Sequence, residues 1–227
     1  MVREARRQMT PSDERRGTVL EDGLHSAFPT PLLVKRFGDS AELNERLLEH
    51  IAAREANEPS MGLSNVGGWH SPTDLLDSGD PAILELRKRI SACIQKMLVL
   101  TRHKKPTGDQ TMRISAWANV ARAGAYNAIH NHTPAVFSGV YYVSVGDPAP
   151  EGSRDGLIEF VDPRPGPHGG PLPTHVFNAP LIVDPEPGML LMFPGWLLHY
   201  VHPYRGTSPR VSVAFNLRLM ADRGQSG

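Results

Sequence analysis

The spacing of apolar residues along the chain changes near residue 110. Before that point, apolar residues recur every three to four positions in two stretches, which predicts two amphipathic helices. The first helix, capped by Asp39 or Ser40, runs to about residue 56. The second begins near Asp80-Pro81, with the proline in its first turn, and ends near residue 103. Both predicted helices therefore precede most of the predicted strands.

After residue 110, short apolar runs alternate with clusters of turn residues. The runs are 111–121, 137–145, 157–161, 175–183, 188–193, 197–202 and 209–219. Phe28 to Val34 adds an edge strand after a proline turn. Strands this short and this closely spaced are typical of a β-sandwich or a barrel. The predicted fold class is mainly β with flanking α-helices.

Length and composition limit the domain organisation. The chain has 227 residues, of which 40% are hydrophobic and 21% charged, and this fits one globular domain. We assign residues 25–220 to that domain, with the helices at its N-terminal end. Residues 1–24 mix charges with few apolar residues and are expected to form a flexible tail. The segment from Pro163 to Pro173 is expected to be a long loop over one end of the barrel.

Charge and cysteine content narrow the partners and the compartment. The 24 basic and 24 acidic residues balance, so no long-range field would attract nucleic acid or an anionic membrane. The single cysteine, Cys93, cannot form an internal disulfide and is expected to be a buried thiol. Neither a signal peptide nor a run of about 20 apolar residues is recognisable. We expect a cytoplasmic protein, and a homodimer is the common default for a soluble enzyme.

Two histidines separated by one residue, His130 and His132, carry the first candidate chemistry. On an extended strand, residues two apart point to the same face, so both imidazoles can reach one ion. His199 follows about 70 residues later, a separation that a jelly-roll can close by bringing distant strands together. Three ligands on one face leave the opposite face open, as in mononuclear iron(II) sites. The alternative is a chance His-x-His among ten histidines.

A second cluster begins at Arg210. Strand alternation places Arg210, Ser212 and Asn216 on one face of the same segment. An arginine inside a barrel is costly unless it meets an anion, and its fork of donors suits one carboxylate. The hydroxyl of Ser212 could donate to the same anion. The alternative for Arg210 is a salt bridge at the rim of the barrel.

The third cluster supplies tyrosines and candidates for a substrate pocket. One tyrosine hydroxyl of the run 137–143 is expected to reach the anion beside Arg210, and we prefer Tyr141 over Tyr142. The alternative is an aromatic strand that only packs a core. The side chains assigned to a substrate pocket are Trp69, His70, Asn216 and His202.

The clusters follow one another in an order that resembles the 2-oxoglutarate/iron(II) dioxygenase superfamily, and its prolyl-hydroxylase-like branch in particular. The motifs are His130-x-His132, Ser138 to Tyr142, Asp155 to Phe160, Pro187 to Pro194, His199 and Arg210-x-Ser212. The chain is also similar to a bacterial family of 2-oxoglutarate/iron(II) oxygenases that has a Phe-Pro-Thr-Pro segment, here Phe28 to Pro31. The same family has a Gly-Gly-Trp-His-Ser-like stretch, here Gly67 to Ser71. The resemblance covers roughly residues 25 to 219.

The resemblance implies a double-stranded β-helix, the cupin-like jelly-roll, with Fe(II) as cofactor and 2-oxoglutarate and O2 as cosubstrates. In the superfamily, a His-x-Asp/Glu pair and a distant histidine hold the iron. His130 then matches the first ligand and His199 the distal one. Arg210 and Ser212 match the pair that holds the far carboxylate of 2-oxoglutarate, with Tyr141 beside them.

The chain departs from the superfamily at His132, which stands where a carboxylate is usual. Three accounts stay open: His132 ligates iron, or His132 turns away and water or halide takes its place, or the motif is shifted by two residues. We prefer the first, because histidine keeps a donor atom in place and a dianionic cosubstrate could compensate the charge.

The implied activity couples decarboxylation of 2-oxoglutarate to succinate with hydroxylation, or a related C–H oxidation, of a small-molecule or amino-acid-like substrate. Two other classes remain. A three-histidine cupin-like metalloenzyme without 2-oxoglutarate would bind metal and form no succinate. A binding jelly-roll without catalysis would bind neither iron nor cosubstrate tightly.

Overall fold

The computed structural model of the protein describes residues 22, 28–62, 64–101, 110–164 and 180–221. It contains helices α1 (Ala41–Asn57) and α2 (Pro81–Leu100) and a 3-10 turn at Leu75–Asp77. The first strands are β1 (Leu33–Arg36), β2 (Asn65–Val66), β3 (Trp69–His70), β4 (Gln110–Ala121), β5 (Tyr126–His130) and β6 (Phe137–Ser144). They are followed by β7 (Ile158–Phe160), β8 (Leu181–Val183), β9 (Met189–Pro194), β10 (His199–Val201) and β11 (Arg210–Ala221).

These strands form two antiparallel sheets. The larger sheet has the order β1-β9-β6-β11-β4-β3, and the smaller has the order β2-β5-β10-β7-β8. Neighbours within each sheet come from distant parts of the chain, as in a double-stranded β-helix. The predicted fold class, mainly β with flanking helices on a jelly-roll, is confirmed.

The large sheet has one face toward the helices and one toward the small sheet. Alternate residues of β11, namely Val211, Val213, Phe215 and Leu217, join the apolar sides of α1 and α2 in the main core. A second cluster, formed mainly by Tyr142, Ile158, Phe160, Leu191 and Phe193, fills part of the space between the sheets. The remaining space between the sheets holds the candidate site.

Both helices lie close to their predicted positions. Ser40 directly precedes α1 but makes no capping hydrogen bond from its side chain. Asp80 caps α2, because its Oδ1 accepts hydrogen bonds from the backbone N–H groups of Ala82 and Ile83. Neither described helix has the length and apolarity that a membrane span requires.

Several predictions concern residues outside the described ranges. Apart from Asp22, the tail assigned to residues 1–24 lies outside them. The same holds for most of the predicted loop from Pro163 to Pro173, and for the first part of the strand expected at 175–183. The single-domain assignment of residues 25–220 stays a prediction.

Candidate metal centre and its two cavities

Three histidines meet at one end of the small sheet. His130 is the last residue of β5 and His199 is the first of β10, and the two are direct cross-strand partners. His132 lies in the turn after β5. This turn is fixed at both ends of His132, because the His132 N–H donates to the Gly195 carbonyl and the Ala135 N–H donates to the His132 carbonyl, each at 2.8 Å. The backbone therefore brings all three imidazoles to one place.

The imidazoles are close enough to share an ion. One nitrogen from each of the three histidines lies within 4.8 Å of the other two. The ring centroids are 4.4 Å apart for His130–His199, 4.9 Å for His130–His132 and 5.2 Å for His132–His199. Nitrogen ligands lie about 2 Å from a transition metal, so a small rotation of the side chains would complete the site. Three histidine nitrogens suit iron, nickel, copper or zinc.

Backbone carbonyls orient two of the rings. The Nδ1 atom of His199 lies 2.9 Å from the Leu197 carbonyl, and the Nδ1 atom of His130 lies 2.6 Å from the Ala128 carbonyl. A carbonyl oxygen only accepts hydrogen bonds, so each Nδ1 must carry the proton. The Nε2 atoms of both rings are then left with lone pairs, which is the arrangement that second-shell carbonyls give metal-binding histidines.

All three histidines are held in the neutral form. Burial, followed by the neighbouring His199, His130 and Arg218, lowers the pKa of His132 to about 3. Burial and the nearby His130 lower the pKa of His199 to about 4. Burial also lowers the pKa of His130. Because metals bind the unprotonated ring, the site needs to release no proton at neutral pH.

A narrow inner cavity of about 50 Å³ lies between the sheets, with His130, His132 and His199 in its wall. Arg210 and Ser212 line the same cavity and are both buried, with only 4% of Arg210 exposed. Burial lowers the pKa of Arg210, yet an arginine stays protonated in proteins. No carboxylate of the described residues lies within ion-pair distance of this guanidinium.

The inner cavity contains polar atoms without partners. Five buried side-chain polar atoms of the described residues lack a hydrogen bond, and three of them belong to this cavity. They are Asn119 Oδ1, Tyr142 Oη and Arg210 Nε. A buried polar group left unsatisfied costs about 1–3 kcal/mol, so such a concentration indicates a site for a polar ligand. A ligand with a carboxylate at this end would fit the donors of Arg210 and Tyr142.

The tyrosine beside Arg210 is Tyr142, and the preference for Tyr141 is corrected. The Tyr142 ring centroid lies 5.2 Å from Arg210 Cζ, and burial raises the pKa of its hydroxyl to about 12. Tyr141 lies on the opposite face of β6, where its hydroxyl donates to Asn44 Oδ1 of α1 at 2.7 Å. The physical reason is strand alternation: neighbouring residues of one strand cannot both face the cavity.

A wider outer cavity of about 520 Å³ opens on the other side of the histidines. His70 and Asn216 line it, as expected for a substrate pocket. The His70 ring stacks on Trp117 with centroids 5.4 Å apart and planes 14° apart, which gives the cavity an aromatic wall. Trp117 also contacts His132, at 5.7 Å between ring centroids. Sequence reasoning missed Trp117 because nothing in the sequence tells which strand lies beside β11.

Two predicted pocket residues lie elsewhere, and both assignments are corrected. Trp69 joins the main core, and its indole N–H donates to the Glu58 carbonyl at 2.9 Å. It neighbours His70 on β3, so alternation turns the two side chains to opposite faces. His202 lines neither cavity, and its Nε2 lies 2.9 Å from Glu159 Oε2.

Comparisons with known proteins agree with this arrangement. Residues 115–216 match the model of a family described as "Putative 2OG-Fe(II) oxygenase". This range includes the three histidines, Arg210, Ser212 and Asn216. No curated protein sequence matches the chain.

Three solved structures illustrate the shared fold. The epimerase SnoN, in complex with Fe3+, alpha-ketoglutarate and nogalamycin RO, has a TM-score of 0.62 and 13% identity over 86% of each chain. A Pseudomonas putida prolyl-4-hydroxylase has a TM-score of 0.53 and 15% identity over 82% of this chain and 91% of its own. HygX from Streptomyces hygroscopicus, with nickel and 2-oxoglutarate bound, has a TM-score of 0.53 and 15% identity over 83% and 82%.

The fold and the site define a jelly-roll metalloenzyme with a buried arginine beyond three histidines. Residues 115–216, which are 102 of the 227 residues, match the model of that oxygenase family, and the fold is that of 2-oxoglutarate/iron(II) oxygenases, in agreement with the resemblance of the sequence. The description of the matched family names iron(II) as the metal and 2-oxoglutarate (2OG) as the cosubstrate.

Proposed function

We propose that this enzyme couples oxidative decarboxylation of 2-oxoglutarate with hydroxylation, or a related C–H oxidation, of a small molecule or peptidyl residue. His130, His132 and His199 would hold one iron(II) ion. The observation that carries the proposal is the inner cavity, which has neutral imidazoles in one part and the unpaired donors Arg210 Nε and Tyr142 Oη in another. A small dianion that spans the cavity could bind a metal held by the imidazoles at one end and accept hydrogen bonds from the donors near Arg210 at the other.

The far carboxylate of 2-oxoglutarate would take the place beside Arg210. The guanidinium is buried and has no acidic partner among the described residues, so an anion there removes a large electrostatic cost. Its fork of N–H groups can donate to both carboxylate oxygens. Ser212, which is opposite Tyr142 in the register of β11 and β6, offers a further hydroxyl donor.

When bound, iron(II) and 2-oxoglutarate would supply the oxidation: with O2 they yield succinate and CO2, and one oxygen atom enters a C–H bond of the substrate. The chain's own part is positioning. The carbonyls of Leu197 and Ala128 hold the rings of His199 and His130 in place. Phe160 and Phe193 pack against His199, with ring centroids 5.9 Å and 4.8 Å away, and exclude water from that side.

His132 distinguishes this site from the pattern of its superfamily. A carboxylate at this position would carry a negative charge, whereas burial and its neighbours keep His132 neutral. The proposed site is therefore one unit more positive than a site with two histidines and one acid. A three-histidine enzyme that uses no 2-oxoglutarate remains the second candidate, and the unpaired polar atoms around Arg210 favour 2-oxoglutarate over it.

The test is anaerobic titration of purified protein with iron(II) and 2-oxoglutarate. We expect the weak visible charge-transfer band of the chelate, and succinate release once O2 is admitted. Arg210→Ala should weaken 2-oxoglutarate binding by about tenfold or more while iron still binds. Arg46→Ala is the matched control, because it removes an arginine from the surface of α1.

Variants at His132 test the third ligand. The band should be lost in His132→Ala and return in His132→Asp, because aspartate again offers a donor atom. Iron binding without a band in the wild type would indicate a three-histidine enzyme that uses no 2-oxoglutarate. Absence of iron binding would overturn the oxygenase proposal.

A further inference from the structure

Two arginines lie side by side at the outer cavity. Arg113 of β4 and Arg218 of β11 are direct cross-strand partners, and both line that cavity. Like charges placed directly opposite each other on a sheet are destabilising. An anion between them would turn this repulsion into attraction.

Neither arginine lies within ion-pair distance of an acidic side chain in the described ranges. Eight of the described arginines lie within 4.0 Å of a carboxylate of the described residues. Of the described arginines, the four outside such pairs are Arg87, Arg113, Arg210 and Arg218. Arg87, Arg113 and Arg218 are exposed and Arg210 is buried. Arg87 lies on α2, whereas Arg113 and Arg218 line the outer cavity and Arg210 lines the inner one. Arginines without acidic partners are thus concentrated at the site.

The cross-strand ladder of β4 and β11 sets the order of these groups. Arg210 is opposite Ala121 at one end, Trp117 is opposite Ala214 in the middle, and Arg113 is opposite Arg218 toward the other end. Arg218 is four positions from Ala214, or about 14 Å of strand at roughly 3.4 Å per residue. Because Trp117 contacts His132, the arginine pair lies at the far side of the histidines from Arg210.

The lining of the outer cavity is suited to a small acid. The described residues that line it include no acidic side chain, and its volume of about 520 Å³ is that of a small-molecule site. Ser115 and Thr73 offer hydroxyl groups. The stacked rings of His70 and Trp117 offer a flat apolar surface for the body of a ligand.

The charge of the proposed active site points the same way. Iron(II), three neutral imidazoles, the 2-oxoglutarate dianion and the guanidinium of Arg210 leave one positive charge. A carboxylate in place of His132 would make the same set neutral. An anionic substrate would compensate the extra charge, and Arg113 and Arg218 add two more positive charges at the mouth.

We propose that the substrate is a small organic anion, whose carboxylate binds between Arg113 and Arg218 while its body lies along Trp117 toward the histidines. This assignment rests on the proposed function, since it names the substrate class of that same site. The two arginines are binding residues that select charge and set how far the substrate enters.

Matched acids and amides test this assignment. Calorimetric titrations would use protein loaded with nickel(II) and 2-oxoglutarate, so that Arg210 is already occupied. The probes are benzoate, 3-phenylpropionate and indole-3-acetate, each beside its neutral amide. We expect at least one acid to bind about tenfold or more tightly than its amide. Phenyl phosphate is added because a phosphate would use the same donors, and tighter binding of it than of every carboxylate would overturn the carboxylate assignment.

Variants of the two arginines test whether they cause the preference for an acid over its amide. In the double variant Arg113→Gln/Arg218→Gln, the acid and its amide should bind within about twofold of each other, whereas Arg46→Gln should keep the preference. The melting temperature of the double variant should not fall, because the change removes a repulsive pair. Equal binding of every acid and its amide in the wild type, or a preference that survives in the double variant, would overturn the proposal.

The same preparations separate this proposal from the proposed function. A charge-transfer band with iron(II) and 2-oxoglutarate, but no acid preference, would overturn only the substrate assignment. An acid preference that depends on Arg113 and Arg218 in metal-free protein, without any band, would support the anion site and overturn the oxygenase function.

Discussion

At the scale of single residues, the face that a side chain takes on its strand decides its role. Tyr141 and Tyr142 are neighbours in sequence, yet one supports the helix layer and the other lines the inner cavity. In the register of β6 and β11, Tyr142 is opposite Ser212 and Tyr141 is opposite Val213. Cross-strand partners share a face, so the pairing assigns Tyr142 to the same side as Arg210.

The two neighbouring tyrosines allow a prediction in which the variant of one is the control for the variant of the other. Tyr142→Phe should weaken 2-oxoglutarate binding by about 3- to 10-fold, because it removes a hydroxyl that could donate to the bound carboxylate. Tyr141→Phe should leave that affinity unchanged and lower the free energy of unfolding by about 1–3 kcal/mol, because Asn44 loses its buried donor. Calorimetric titration and urea denaturation of both variants measure these effects. Weaker cosubstrate binding in Tyr141→Phe, with none in Tyr142→Phe, would contradict the assignment.

The residues predicted from the sequence are those for which spacing alone decides the position. Arg210, Ser212 and Asn216 alternate on one strand, so their shared face follows from the period of a strand. The sequence also predicted that His130 and His132 share a face of one strand, but β5 ends at His130, and the turn that follows brings His132 to it. Tyr142, Trp117 and Asn119 could not be assigned in this way. Their positions depend on the register between β4, β6 and β11, which the sequence does not determine.

At the scale of elements, the helices and most strands lie near their predicted positions, but the edge strand expected at Phe28 to Val34 is observed at Leu33–Arg36, and β2, β3 and β5 were not predicted. β5, which ends at His130, was absent from the predicted runs, because most of its residues are exposed and show no alternation. The two-residue strands β2 and β3 are too short to give a pattern. These weak elements still carry site residues, namely His130 and His70, because pairing with β10 and β4 holds them in place.

The cap of α2 gives a prediction at this scale. Asp80→Ala should lower the free energy of unfolding by about 1 kcal/mol, because the N–H groups of Ala82 and Ile83 lose their acceptor. Asp80→Asn keeps an acceptor oxygen and should lose less. Thermal and urea denaturation of the two variants beside the wild type would measure the difference. Equal stability of Asp80→Ala and the wild type would show that the cap contributes nothing.

The effect of Asp80 should depend on pH. Burial acts to raise the pKa of its carboxyl group, but hydrogen bonds from Ala82 and Ile83 and the nearby His50 lower it overall, below the ordinary value of 3.8. A carboxyl with a lowered pKa in the folded state stabilises the fold above its unfolded pKa, and this stability is lost as pH falls. The advantage of wild type over Asp80→Asn should therefore be full at pH 6 and shrink below about pH 4.

At the scale of the whole molecule, the site lies between the two sheets and draws on both. Two of the three histidines lie on strands β5 and β10 of the small sheet, and the third lies in the turn that follows β5. Arg210, Tyr142 and Trp117 lie on strands of the large sheet. The alternating runs after residue 110 predicted an all-β core, but not which strands meet. The return of β10 to β5 closes about 70 residues of chain, and only the folded sheets bring these histidines together.

Metal binding should therefore stabilise the whole fold. A ligand that binds only the folded state at 100 times its dissociation constant adds about 2.7 kcal/mol, which corresponds to roughly 5–10 °C in melting temperature for a domain of this size. We expect removal of metal with a chelator to lower the melting temperature by that amount, and nickel(II) to restore it. His199→Ala should abolish the response, because His199 lies next to both other imidazoles. His202→Ala is the control, because that histidine contacts Glu159 and lines neither cavity. An equal response in His199→Ala would mean that the metal binds elsewhere, and the three histidines would then lose their assigned role.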